Sequence, residues 1–444
     1  MKPLACSCAA LIVAIATFTG CGGSESPPVA PATQWKPPVL GALTAKSLIG
    51  AFPDANGGVI VAGRTDSGGV AIARFSDGAW LAETLEMAGL ESVQAVAIKD
   101  GVALFGRDSS QWFRTTVSST GIERLKPQFP AEQTCPQGNS STGLSFSTTH
   151  DGAVLATWGC ADLTAGTADI QMREHKLGTW AVTESVKVTG WSGSFAWRAS
   201  VARSRFGDVA TVNYVGPGYE YSFVAFRSVG AADFAIVTPT LCTNGRCQAN
   251  WGGYFAPVLQ PDGSATVLRG GHSPFRDDWL SVRALTPVSL WTTSTTPADF
   301  SAPPSSSLVR ANGTPVWLAN MDNQLTLWEG TQMAVWSPSS VTPPACSLAT
   351  CAAIDRADAS RFAAVDSTTS TAPVLNIYSR ANDGIWSREA SVDLISVRTA
   401  SGASSEIDIA KLAVERTLGI VLGGAGQAYP TADQRFTLFA VAKK

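Results

Sequence analysis

Apolar residues in this chain come in short runs rather than long stretches, and the runs are separated by Gly, Asp, Asn, Ser and Thr. An apolar run, a tight turn, a second run, a variable loop, a third run and another turn follow one another along almost the whole chain. The tight turns read Asp100-Gly101-Val102, Asp151-Gly152-Ala153, Asp262-Gly263-Ser264 and Asn312-Gly313-Thr314. A Trp returns just after the second turn of the unit, in Gly78-Ala79-Trp80, Gly178-Thr179-Trp180, Val335-Trp336 and Gly384-Ile385-Trp386. Asp-Gly and Asn-Gly between apolar runs supply the positive φ and side-chain bonding that sharp strand-to-strand turns require.

Units of four short strands repeated at this length predict an all-β chain, a β-propeller. The second strand of each unit is the clearest marker. It gives eight sites: 58–63, 102–106, 153–158, 209–214, 265–269, 315–320, 362–366 and 419–423, with starts roughly 44 to 57 residues apart. The expectation is an eight-bladed propeller, with a seven-bladed ring containing one irregular repeat as the alternative. The last unit lacks a fourth strand, because the chain ends at Lys444 soon after its third. At the other end, Gln34-Trp35-Lys36-Pro37-Pro38-Val39-Leu40 offers a Trp and an extended apolar run. Pro37 and Pro38 are tolerated on an edge strand. The N-terminal segment is therefore predicted to complete the last blade, closing the ring within a single domain, 34–444.

The first residues belong to processing rather than to the fold. Lys2 precedes an apolar run, Ala9-Ala10-Leu11-Ile12-Val13-Ala14-Ile15-Ala16. The following Phe18-Thr19-Gly20-Cys21 resembles a bacterial lipobox, with Phe in place of the usual Leu. The resemblance implies a signal peptide over 1–20, diacylglycerol on the Cys21 thiol and an acyl chain such as palmitate on its amine. Several acyl chains on one residue anchor stably, as one does not. An ordinary secretory signal cut nearby is the alternative. Gly22 rather than Asp after the cysteine implies, by the same resemblance, the outer membrane of the cell envelope rather than the inner. Small, polar and Pro-rich residues over 21–33 form a flexible tether.

Six cysteines follow Cys21, an even number in an exported chain, and are read as disulfides. Cys242 with Cys247 and Cys346 with Cys351 span equal gaps and each pair closes its own loop, which leaves Cys135 with Cys160. No metal is expected, since neither a CxxC nor clustered His accompanies them. No cofactor is expected either. The net charge of −3 lacks the basic excess of a nucleic-acid binder, and a monomer is expected.

In a four-stranded blade the first-to-second and third-to-fourth turns share one face. The second-to-third loops and the links between blades share the other, and the irregular segments collect there, where binding usually sits. Residues ending the second strands ring the mouth of the channel on that loop face: Arg64, Arg107, Trp158, Tyr214, Arg269, Asn320 and Asp366. Three arginines would suit a carboxylate or other anion, but the preferred reading pairs Arg64 with Asp66 and Arg107 with Asp108. Trp191, Trp197, Trp251, Tyr254, Tyr219-Glu220-Tyr221 and Phe275-Arg276-Asp277-Asp278-Trp279 add aromatic and acidic groups suited to sugars or apolar protein segments.

Ser76-Asp77-Gly78-Ala79-Trp80 and Asn382-Asp383-Gly384-Ile385-Trp386 are similar to the Asp-box turns of sialidase propellers, although both depart from that spacing. The resemblance would cast Arg64, Arg107, Arg269 and Tyr219–Glu220 in catalytic roles, but no motif fixes that match. The chemistry of His150, His175 and His272 is isolated, and no nucleophile elbow or phosphate loop occurs. The expected function is a lipid-anchored envelope propeller that binds a protein or glycan through its loop face without catalysis. A sialidase-type glycan hydrolase is the alternative.

Overall fold

The computed structural model describes residues 35–444 apart from 55, 82–83, 88, 119, 131–132, 134, 136–142, 163–166, 177, 190–196, 217–218, 238–241, 244–245, 248–256, 261, 269–277, 283–287, 292–306, 311–313, 322–323, 330–331, 338–350, 356, 367–371, 404–406, 416–418 and 428–429. The signal and tether, including Cys21, lie outside this set. Strand is the dominant structure of the described residues, with one helix, Ile395–Ser401, among them.

The strands fold as successive antiparallel meanders over 47–86, 92–130, 145–189, 197–236, 258–291, 307–333, 352–393 and 409–442. The second strand of each coincides with a run marked in the sequence, as in Val59–Arg64 and Ile420–Ala425. Both faces of such strands are buried: five of the six residues of Val59–Arg64 and all six of Ile420–Ala425. That burial is why these strands read as unbroken apolar runs rather than as an alternation.

First strands pack against one another. Ser47–Pro53 meets Ser92–Ile98, which meets Ser145–Thr148, which meets Trp197–Ser204, which meets Val258–Leu259. In the other direction Ser47–Pro53 meets Ile409–Glu415, which meets Ala352–Ile354, and that strand meets Pro315–Met321, the second strand of the 307–333 meander. First strands arranged around an axis, with meanders radiating from them, make a β-propeller. Its apolar clusters straddle neighbouring meanders. Phe52, Ile60 and Ile72 share one with Leu104 and Val117, and Leu43, Val61 and Phe75 share another with Leu422, Phe436 and Leu438. No meander can bury both faces alone, so the core exists only once neighbours are in place. The 145–189 and 197–236 meanders are joined further, by parallel pairing of Val188 with Phe234 and Thr189 with Ala235.

The N-terminal strand does complete the last meander. Val39–Ala45 pairs antiparallel with Gln434–Ala442, giving the order Val39–Ala45, Gln434–Ala442, Ile420–Ala425, Ile409–Glu415. The strand begins later than the sequence suggested, and Pro37-Pro38 explains why. Trp35 bridges Lys443 and the Lys36 N–H donates to the Ala442 carbonyl (2.8 Å), then the ladder resumes with Val39 opposite Ala440. Prolines have no N–H to contribute between those points.

The recurrent Trp is a clamp between meanders. The Trp80 indole N–H donates to the Val39 carbonyl (2.9 Å), and its ring lies on Gly41, where a Cβ would come within 2.4 Å of Trp80 Cγ. Trp180 donates to Gln128 Oε1 (2.5 Å) and packs edge-on against Phe129. Trp386 donates to Glu329 Oε1 (2.7 Å). In each case the Trp docks on the preceding meander. Trp336 is not a member of this set: it sits beyond the turn position and receives Trp386 of the next meander through a parallel bridge.

Candidate functional site

At the loop-face ends of two second strands the two described arginines meet on one residue. Arg64 ends Val59–Arg64 and Arg107 ends Gly101–Arg107, on neighbouring meanders. Glu91 lies in the link between those meanders. Arg64 Nη2 donates to the Glu91 carbonyl (2.5 Å), Arg107 Nη2 to Glu91 Oε2 (3.0 Å), and the Glu91 N–H to the Arg107 carbonyl (2.7 Å). The expected local pairings do not form. Asp66 pairs with Lys46 at 2.6 Å. Asp108 instead accepts from the Ser110 N–H (2.7 Å), the Ser110 hydroxyl (2.9 Å) and the Gln111 N–H (2.6 Å). Those bonds, the Ser110 N–H first, hold the Asp108 carboxyl below its ordinary pKa. Local side-chain-to-backbone bonding outcompetes an ion pair because the carboxylate is already beside its own turn. Arg269, the third arginine, lies outside the described residues.

Two neighbouring hairpins on this face are longer than the rest. Val154–Asp162 pairs with Thr167–Lys176, and Gly207–Gly216 with Tyr219–Ser228. The first carries Cys160, joined by a disulfide to Cys135 with Cα atoms 5.6 Å apart, the predicted pairing. Trp158 does not end its strand. The strand runs on to Asp162, and Trp158 is 3% exposed, in a cluster with Phe129, Leu144 and Cys160. In the second hairpin the register sets Trp197 opposite Tyr214 and Tyr214 opposite Tyr221, a line across three strands that spacing alone did not show. Tyr219 and Glu220 face Gly216 and Val215 at the hairpin end. Trp279 pairs in register with Leu268 and Leu290. Trp191, Trp251, Tyr254, Arg276 and Asp277 lie outside the described residues. So does Cys346; Cys351 is disulfide-bonded, and Cys242 stands opposite Cys247 in a short hairpin.

A cavity of about 300 Å³ opens on the other, tight-turn face, between the 145–189 and 197–236 meanders. Leu155, Met172, Glu174, Glu184 and Arg203 line it. Arg203 donates to Asp208 Oδ1 (2.9 Å), Glu174 Oε2 (2.7 Å) and Glu184 Oε2 (3.1 Å). Arg227 bonds Glu184 Oε1 (2.5 Å) and, through Nε, Asp208 Oδ2 (3.1 Å). Burial works to raise the Glu184 pKa, but the Arg227 and Arg203 bonds and charges outweigh it and hold the carboxyl low. Two guanidinium groups shared among three carboxylates make a rigid ionic seam. Sequence reasoning missed this seam. Its only signal was that Glu174, Arg203, Asp208 and Arg227 each stand beside a tight turn. On the same face Arg114 donates to His175 Nε2 (2.8 Å), and burial followed by the Arg114 charge pushes that imidazole below its ordinary pKa. A nitrogen accepting from a guanidinium is unprotonated, so His175 is held neutral. Among the described residues no group of three or more His, Cys, Asp or Glu could hold a metal ion.

No protein-family model matches the chain, and no curated protein matches it. Solved structures do. A lectin from Burkholderia pseudomallei aligns with a TM-score of 0.44 at 14% identity, over 81% of this chain and 100% of that one. A dihydro-heme d1 dehydrogenase aligns at 0.44 and 9% identity, over 80% and 73% of the two chains. A polysaccharide lyase aligns at 0.40 and 9%, over 90% of each. Likenesses of this size concern shape and say nothing of what this chain binds.

Proposed function

We propose that the chain is an eight-bladed, lipid-anchored propeller of the bacterial cell envelope that binds a protein or glycan partner through its loop face and performs no catalysis. The observation that carries this reading is the capture of Arg64 and Arg107 by Glu91. A sialidase-type centre needs arginines free to grip a substrate carboxylate, whereas these two are committed to a link between blades. The long paired strands, Val154–Asp162 with Thr167–Lys176 and Gly207–Gly216 with Tyr219–Ser228, the first tied by Cys135–Cys160, support a binding role for this face. Cys21 in its lipobox-like setting supports the anchor, and Gly22 supports the outer membrane.

A panel of chromogenic glycosides and a glycan array, both probed with residues 34–444, test the proposal. Saturable capture without turnover, weakened by Tyr219→Ala and Glu220→Ala, is the expected result. Turnover abolished by Arg64→Ala with Arg107→Ala would instead establish the hydrolase.

A further inference from the structure

We infer that the tight-turn face of the propeller lies against a phospholipid bilayer, presenting the loop face away from it. The inference rests on the proposed anchor at Cys21, and its geometric part comes from strand direction.

In the last meander Glu415 pairs with Ile420 and Ile420 with Ala442, so the third strand ends at the tight-turn face. The Lys443 N–H donates to the carbonyl of Gly419 in that turn (2.8 Å). Trp35 bridges Lys443, so the segment carrying Cys21 enters the fold at the tight-turn face. Thirteen residues, 22–34, separate Cys21 from that point. A flexible chain of that length spans about 20 Å on average. The seven-residue strand Val39–Ala45, at ~3.3 Å per residue, is about 23 Å tall. Turning the loop face to the membrane would require the tether to climb the whole height of a blade at the expense of its entropy.

The side chains on this face agree with the geometry. Leu81, Val182 and Val229 are 52%, 91% and 65% exposed, and each lies in or just after a third-to-fourth turn. Leu40, also exposed, is the second residue of the closing strand, near where the tether enters. Apolar groups spread over one face cost less against lipid than against water. Asp77 and Asp383 in third-to-fourth turns, and Asp100 in a first-to-second turn of the same face, keep the contact at the headgroups rather than in the hydrocarbon.

Lysine acetylation of the full lipidated chain, read by mass spectrometry, tests this on phosphatidylethanolamine–phosphatidylglycerol vesicles. The reference is the unbound Cys21→Ala protein. Lys99 and Lys176 belong to the tight-turn face, and Lys46 joins two strands at the loop face. Vesicle binding is expected to slow modification of Lys99 and Lys176 several-fold and to leave Lys46 nearly unchanged. Leu81→Glu, Val182→Glu and Val229→Glu together should reduce that protection while the protein still floats with vesicles. If the chain floats but Lys46 is protected as strongly as Lys176, the orientation is wrong and the anchor stands. If the wild-type chain fails to float, or Cys21→Ala floats equally well, the anchor fails and the orientation falls with it.

Discussion

Gly41 and Trp80 show how much one position can decide. The indole occupies the space where any other residue's Cβ would stand, so the closing strand can approach the first meander only as glycine. Adding that methyl forces the ring or the strand to move, and overpacking of this kind costs about 1–3 kcal/mol. Gly41→Ala is expected to lower the urea midpoint accordingly with little change in slope. An unchanged midpoint would mean that Trp80 does not bear on the closing strand. The sequence marked Trp80 as recurrent, but nothing local identified Gly41 as its bed, because the two residues meet across a junction between meanders. Trp158 is the converse case: it stood near the end of an apparent strand, yet the strand continues and buries it.

Ends of strands at the tight-turn face are sewn together by arginine and acid. Glu329 accepts from Arg310 Nη2 (2.8 Å), Arg380 Nε (2.7 Å) and Trp386 Nε1 (2.7 Å), joining the 307–333 and 352–393 meanders. Glu389 does the same for Arg361 (3.1 Å) and Lys443 (3.0 Å). Burial would raise the Glu329 pKa, but its bonds to Arg310, Arg380 and Trp386 prevail and the carboxyl is held low. A carboxyl whose folded pKa is depressed adds stability above its ordinary value of about 4.3, and loses it as pH falls through the lower folded value. Glu329→Gln should therefore cost about 2 kcal/mol near neutral pH. The gap from wild type should close on acidification below about pH 4. Urea midpoints across that range check it, and a constant gap would refute the assignment. Arg380 and Trp386 lie 51 and 57 residues from Glu329, and even Arg310 lies 19 away, so spacing could not reveal them.

Closure governs the molecule as a whole. The strand Val39–Ala45 covers the edge of Gln434–Ala442, buries Leu43 completely and carries the carbonyl that Trp80 bonds. On the loop face the Asp66 N–H also donates to Asp433 Oδ1 (2.6 Å), a second tie across the same junction. Deletion through Ala45 should remove at least about 2 kcal/mol, from Leu43 burial alone. It should also expose an open edge that promotes association. Thermal unfolding and size-exclusion chromatography read both effects. A truncated chain that is equally stable and monodisperse would show that the N-terminal strand contributes nothing to the ring.

Strand positions, tight turns, the need for an N-terminal strand and the pairing of Cys135 with Cys160 were all legible in the sequence. Each depends on local apolar runs, on turn chemistry or on counting. Tertiary structure alone decided which meander each Trp grips, that Arg64 and Arg107 share Glu91, and where the ionic seams run. It also decided on which face the N-terminal segment enters. Those outcomes follow from register and from the packing of one sheet on the next, which bring together side chains whose separation along the chain carries no signal.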